Sequence, residues 1–594
     1  MTAGPEQEYR RRRAHWDAEI SATARASDRL SNLRLLTAGL AIAVGLTVMR
    51  GTLGAGWLAV PGILFLALVI WHSRVIERGQ RARNAQAWYD RGLARIAGTW
   101  AGTGPDGRRF GQGHATAADL DLFGPGSLFQ LLHTARTEAG EETLARWLMA
   151  PAPPAEIRAR QAAVTELRSE LDFRESLAVS AAGARTSRTG TLATWAAAPG
   201  SALSLGAAWL FGAVGGLSAA LLVAMLLGRI PAGLFFLSLF VQFAIVVAFW
   251  RRIGRAVADV ETAARDLELL AAVLAVIEAK SFTTERLRGV SAALRTGGVP
   301  ASQQIARLLR WITALDSTRN QILAPFAWLV MLPYLCSLAI DRWHAEHARA
   351  IPAWLDAVGD IEALAAFATF ACEHPSAAVP TIVDDGAPRV TATALAHPLI
   401  HEGTAVANDV ALGAGAPRLF IVSGSNMSGK STLLRAIGVN VVLALAGAPV
   451  RAAAMTVTPL VLGTSLRVDD SLQAGHSRFY AEILRLRAIV ELTDGPAPVL
   501  FLLDEVLAGT NSHDRRIGAE AVIRTLVARG ALGLVTTHDL ALADVVPSLG
   551  TDAANVHFED RVEDGRMVFD YRMRPGIVTH SNALALMRAI GLDV

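Results

Sequence analysis

The chain has 594 residues, enough for three or four domains, and 52% of them are hydrophobic against 18% charged, with a mean hydropathy of +0.35. That balance is unusual for a soluble protein and points to membrane segments, while a formal net charge of +3 is too small to argue for nucleic acid by itself. Lysine occurs only at 280 and 430, and the two cysteines, Cys336 and Cys372, lack metal-like spacing, so both read as reduced core residues and nothing suggests an oxidising compartment.

Residues 1–34 form an Arg-rich segment with Arg10 to Arg13, Arg25, Arg29 and Arg34. An apolar block follows from Leu35 to Trp71, broken only by Arg50 and a turn carrying Gly51, Gly54 and Gly56. A second block runs from Leu203 to Trp250, broken by Arg229 and Pro231. Each is long enough for two spans of about 20 residues joined by a tight turn, which predicts transmembrane hairpins over 35–72 and 201–250. Leu35 to Met49 is short, so the first hairpin is expected to tilt or to rely on snorkelling by Arg34 and Arg50. Arg74, Arg78, Arg81 and Arg83 follow the first hairpin; Arg185 and Arg188 precede the second, and Arg251, Arg252 and Arg255 follow it. This excess of Arg places both chain ends in the cytoplasm, the expectation being a multi-pass protein of the cell's inner membrane with membrane lipid as a partner. No small-residue site separates the first two spans, so a cleaved signal peptide is not expected. A third apolar run, Gln321 to Ile340, contains Pro325 and Pro333 and reads as a buried helix outside the membrane, because one more crossing would put the C-terminal part on the opposite side.

Residues 73–117 read as a cytoplasmic linker. Helical periodicity marks 118–200 as the first part of an all-α core and 251–380 as its second, lever part, with an apolar stripe at Val257, Val260, Leu267, Leu270 and Val273. From 381 to 594 strands alternate with helices. The runs Leu419 to Val422, Val499 to Leu503 and Leu532 to Thr536 have the pattern of fully buried parallel strands.

Within that region Gly424, Ser425, Asn426, Met427, Ser428, Gly429, Lys430, Ser431 and Thr432 fit G-x-x-x-x-G-K-[ST] without mismatch, between an apolar strand and a helix. Backbone N–H groups of such a loop close around phosphate oxygens at a helix N-terminus. Lys430 is expected to reach the outer phosphates of ATP, and Ser431 to ligate Mg²⁺. Asp504, ending a buried strand, would hold the same metal, and Glu505 would orient or deprotonate the attacking water. The expected fold is therefore an α/β P-loop ATPase domain, ABC-like with a mostly parallel sheet. It follows an all-α core and lever domain and two transmembrane helical hairpins.

Further residues carry a resemblance. Asp470 to Phe479, followed by Glu482, is similar to the signature segment of the MutS mismatch-repair ATPases. Gly509 to Ser512 with Asp514, Thr536-Thr537-His538, His397-Pro398-Leu399, Asn408-Asp409 and Ala446 to Ala452 resemble that family at other points. Leu128-Phe129, Trp147-Leu148 and Arg160 to Val164 are similar to its core and lever. The resemblance covers roughly Asp119 to Leu177 and Trp343 to Val594. It implies a homodimer with composite ATP sites, Ser477 contacting the terminal phosphate in the partner's site, His538 sensing it in its own, and Asn408 at the nucleotide.

The departures are equally specific. No segment is available for the family's mismatch-reading domain; Phe173-Arg174-Glu175 matches its Phe-x-Glu by spelling only. The second hairpin lies in a part of the chain comparable to the family's DNA clamp, and the chain stops at Gly591-Leu592-Asp593-Val594, about where a C-terminal dimerising helix-turn-helix would begin. DNA is thus a partner implied by resemblance alone. Two other readings are an ABC-type transporter, against which the Leu-Ser-Gly-Gly-Gln signature is missing, and a membrane scaffold whose levers grip an unknown protein partner.

Overall fold

The computed structural model describes residues 4–180, 189–198, 205–258, 260–296, 298–320, 323–384, 386–467, 478–563 and 566–578. These fold as two compact units. One takes the residues up to Thr134, Leu144–Glu170 and those from Leu364 onward; the other takes Ala135–Thr143 and Leu171–Ala363. The core read as 118–200 is therefore divided, its first helices folding with the C-terminal α/β region. Residues 144–170 include the helix Pro154–Arg168, whose Arg160 Nη1 donates to Ala446 O at 3.1 Å and whose guanidinium lies 3.8 Å from the Trp147 ring centre.

In the first unit, Pro5–Met49 and Ala59–Ile96 are two long helices paired as a hairpin. The boundaries read at 34 and 73 are not breaks: both helices run through them, and the segment taken as a linker is helix as far as Ile96. Near their outer ends Tyr9 is wholly buried against Trp88 and Tyr89, with ring centres 5.7 and 5.3 Å away. Around the turn the faces change character. Leu35, Ile42, Met49, Ile63 and Leu66 are all exposed, as a lipid-facing surface would be. At the changeover His72 bridges Ser27 Oγ and Arg34 Nη1 at 3.0 and 2.9 Å.

The second unit is helical apart from one short β-hairpin, among the described residues. Leu205–Leu226 and Ala232–Ala258 form the second apolar pair; with the first pair they make four helices long and apolar enough to cross a membrane by length and composition. Leu203, Arg185 and Arg188 lie outside the described residues. The run read as one buried helix over 321–340 is instead two helices, Ala324–Leu329 and Leu332–His347, of which the first exposes Phe326 and Trp328. Pro325 and Pro333 each sit in a first helical turn, where the missing N–H costs nothing, and Met331 between them has φ 54°. Gln321 is outside the described residues.

Glu362 is buried in this unit and accepts from Arg136 N at 3.1 Å, Thr137 N at 3.2 Å and Thr137 Oγ1 at 2.5 Å. Burial pushes its carboxyl up to about 7, against the opposing pull of those donors. The folded state thus binds a proton the unfolded chain releases: stability is fully present below pH 4.5 and is lost as pH rises through 7, by about 3 kcal/mol at most. Glu362→Gln is expected to flatten that loss. The measurement is hydrogen exchange of the 136–143 amides between pH 4.5 and 7.5, corrected for intrinsic rates; a variant as pH-sensitive as wild type would refute it.

The C-terminal α/β region carries two sheets. Strands are numbered β1 (Thr381–Ile382), β2 (Arg389–Leu395), β3 (Asn408–Gly413), β4 (Leu419–Ser423), β5 (Ala454–Val457), β6 (Val461–Ser465), β7 (Val499–Leu503), β8 (Leu532–Thr537), β9 (Ala553–Glu563) and β10 (Arg566–Pro575). One sheet has the order β10-β9-β4-β8-β7-β6, parallel except for β10; the other is β1-β5-β2-β3. Every residue of β4, β7 and β8 is buried, which is why these strands are continuous apolar runs and do not alternate. The helix Lys430–Ala446 is buried along almost its whole length. Its Asn440 donates to Ala396 O at 2.9 Å and accepts from Arg451 N at 2.7 Å, tying it to segments beside the second sheet.

Candidate functional site

The site forms at the C-terminal ends of β4, β8 and β7, where an open parallel sheet places its binding loops. β4 runs into the loop Gly424 to Gly429 and the helix Lys430–Ala446. Gly424 and Gly429 have φ of 148° and 108°, and a side chain at Gly429 would meet the Tyr571 ring at 3.1 Å, so this turn admits only glycine. The helix starts with no side-chain cap, leaving its first-turn N–H groups for an anion. Lys430 is buried, and its ammonium donates to the carbonyls of Gly424 at 2.8 Å and Ser425 at 2.7 Å. Burial holds its pKa below the ordinary lysine value, opposed by the charges of Glu505, Asp504 and Asp560.

β8 lies between β4 and β7, so its end reaches both acids that follow β7. Thr536, fully buried, donates its hydroxyl to Asp504 Oδ1 and accepts from Glu505 N at 3.0 Å. His538 Nε2 donates to Glu505 Oε1 at 2.5 Å. Glu505 and Leu507 have φ of 49° and 55°. This strained turn is secured by Glu482, whose buried carboxylate accepts from Leu507 N. Glu505, His538 and the Lys430 loop are thereby brought to one edge. Asp470 to Ser477 lie outside the described residues; Phe479 and Glu482 follow on the helix Arg478–Leu492.

Asn408 was expected at the nucleotide. Its amide donates to Tyr571 O at 3.0 Å and its carbonyl accepts from Met573 N at 2.7 Å, so it joins β3 to β10, and only its remaining surface lines the cleft beside the loop. That cleft has a volume of about 250 Å³ and is walled by His397, Val406, Gly429, Leu433, Phe558 and Tyr571. His397 accepts from Leu399 N through Nδ1 at 3.2 Å, and burial, reinforced by Arg435, lowers its pKa to about 4, so it is neutral at pH 7.

Sequence reading missed Asp119. It is wholly buried and accepts from Thr464 Oγ1 at 2.7 Å, Leu466 N at 3.1 Å, Arg467 N at 2.9 Å and Arg485 Nη2 at 2.8 Å. It therefore anchors both ends of the span that contains Ser477. Its partners lie some 350 positions away, and the only local sign is an acid between apolar neighbours. Asp119→Asn is expected to weaken this anchor by about 1.5–3 kcal/mol, the range for hydrogen bonds to charged groups. Faster amide exchange at Leu466 and Arg467 would register it; unchanged exchange would refute it.

A nucleotide with Mg²⁺ fits the residues present. Ser425 Oγ is buried at the loop without a hydrogen-bond partner, the helix start is uncapped, and the adjoining cleft has both polar and apolar walls. No group of three or more His, Cys, Asp or Glu placed to hold a metal occurs among the described residues. Mg²⁺ in such sites is held by one or two protein groups plus phosphate oxygens, a demand that Ser431 and Asp504 can meet.

Residues 420–593 match the family model described as MutS domain V. The chain is 30% identical over 302 residues to "DNA mismatch repair protein MutS 2" of Haloarcula marismortui, covering 47% of this chain and 31% of that protein. It is 28% identical over 289 residues to "DNA mismatch repair protein MutS" of Brevibacillus brevis, with 47% and 33% covered. To "Endonuclease MutS2" of Thermomicrobium roseum it is 32% identical over 216 residues, with 35% and 26% covered. The matched region thus spans about a third of the length of these curated relatives.

Proposed function

On the premise that the chain belongs to the MutS family through its C-terminal ATPase domain, we propose that it is a membrane-anchored ATPase. Its binding and hydrolysis of ATP drive a dimer cycle and move helical levers. The observation that carries this is the convergence of the Lys430 loop, the Asp504–Glu505 pair and His538 at one sheet edge, inside the region that matches domain V.

The geometry supports the following roles. Loop amides and Lys430 take the phosphates, and the cleft under Tyr571, with Val406, Leu433 and Phe558 among its walls, would take the base. Ser431 and Asp504 would hold Mg²⁺, which neutralises phosphate charge when bound. Thr536 keeps Asp504 and Glu505 in register, and Glu505 takes the proton of the attacking water. His538 hydrogen-bonds to that same carboxylate, so it is placed to report on the terminal phosphate. Ser477 would come from a second copy. Anchoring is supported by the four apolar helices and their exposed faces.

Steady-state ATP turnover by the detergent-purified full chain tests this reading. Specific activity should climb with protein concentration if the site is composite, and absence of turnover would remove the ATPase assignment. Duplex DNA, the ligand suggested by the relatives' names, is tested separately by binding across salt. Phosphate contacts give a steep fall in affinity as salt rises, and no binding at low salt would leave the family's ATPase without its nucleic-acid partner.

A further inference from the structure

The second apolar hairpin is not a bare anchor. Leu205–Leu226 and Ala232–Ala258 pack with the turn after Ala324–Leu329: Phe211, Met331 and Tyr334 are buried together, with Val214, Ile245 and Phe249 against them. The approach is close, because a side chain at Gly215 would lie 2.6 Å from the Val330 carbonyl oxygen. The carbonyl of Leu329, at the end of its short helix, accepts from the Gln242 amide at 2.8 Å. Non-helical backbone is tolerated at membrane depth only where protein satisfies it in this way.

Between these elements is a cavity of about 630 Å³, walled by Leu222, Phe235, Leu239, Val246, Trp328 and Leu329 among others. None of the lining residues is charged, and the one amide, Gln242, already donates to Leu329. With no charge and only the Trp328 and Tyr334 side chains as further polar groups, such walls disfavour ions and charged headgroups, which would lose hydration there. A flexible hydrocarbon chain fits both volume and chemistry. Two lining residues, Phe243 and Phe326, and the neighbouring Phe236 and Phe240 are 62–68% exposed, so the cavity opens onto a surface suited to bilayer hydrocarbon.

We propose that the second hairpin and the Ala324–Leu329 helix form a binding site for one acyl chain of a membrane lipid, drawn from the surrounding bilayer. This rests on the membrane reading above. The test uses the full chain in phosphatidylcholine and phosphatidylglycerol vesicles doped with a phosphatidylcholine carrying a diazirine in its acyl chain, with adducts mapped by mass spectrometry. Saturable labelling is expected on the Phe235–Val247 and Pro325–Tyr334 segments. Leu239→Trp and Val246→Trp, which fill the cavity, should each lower it roughly tenfold, a loss of about 1.4 kcal/mol of packing between chain and walls. Leu237→Trp, on the exposed hairpin face and outside the lining, should leave it unchanged and controls for insertion. Labelling that rises linearly with probe and ignores both filling variants means bulk lipid contact and overturns the proposal. Chain-to-chain crosslinks through the same segments also overturn it, the occupant then being a second copy. Alkaline carbonate extraction tests the membrane reading independently. If the chain is released, that reading fails, and saturable capture of a dispersed diazirine fatty acid would still uphold the cavity assignment, while no capture would end it.

Discussion

Replacing Glu505 by Gln is expected to slow ATP hydrolysis by about 10²- to 10⁴-fold while leaving nucleotide binding near wild type, the usual contribution of a positioned general base. The amide keeps the shape of the side chain and can still accept from His538, so the sheet edge is preserved and only proton acceptance is lost. Lys430→Ala should act earlier. The lysine lies against the loop carbonyls of Gly424 and Ser425, and removing it takes away the one cation of the phosphate loop, so binding itself should weaken. Single-turnover hydrolysis and equilibrium binding of a fluorescent nucleotide separate the two effects. If both variants hydrolyse ATP like wild type, the site has been misassigned.

Glu373→Ala is expected to destabilise the junction between the first hairpin and the ATPase region by about 3–5 kcal/mol, the cost of leaving a buried charge without its partner. Arg95, near the end of the helix Ala59–Ile96, donates Nε and Nη2 to Glu373 at 2.7 and 2.6 Å, and the side chains are 8% and 1% exposed. A fork-to-fork pair of this kind is rigid as well as strong, so it fixes the hairpin's stalk onto the end of Ile351–Glu373. The double replacement Arg95→Met with Glu373→Leu should recover most of the loss, because two apolar side chains need no mutual charge. Protease cleavage around Ala97 to Gly104 provides the readout, since it follows the population of the open junction. A single variant as resistant as wild type, or a double variant worse than Glu373→Ala, would contradict this account.

Some of the molecule was legible in the chain alone because its cause is local. Gly424 to Thr432 announces a phosphate loop through spacing that backbone geometry demands, and β4, β7 and β8 announce buried strands because both faces are covered. The apolar blocks predict long apolar helices for the same reason of uniform environment. The linker reading over 73–117 gives way to helix as far as Ile96, because Ala82, Ala85, Trp88 and Tyr89 continue a buried stripe down the helix that begins at Ala59.

What only the tertiary structure decided is pairing at a distance. The order β4-β8-β7 puts Thr536 against Asp504 and His538 against Glu505, an arrangement strand patterns cannot rank. The assignment of Asn408 to a join between β3 and β10, Asp119 on Thr464 and Arg485, Arg95 on Glu373, and the cavity between the second hairpin and Ala324–Leu329 all join residues tens to hundreds of positions apart. By itself the sequence determined which chemistry is present and which faces are apolar, since these depend on residue type and period. Which side chains meet was decided by the path of the chain through space, where burial makes an unpaired charge or backbone carbonyl too costly to leave.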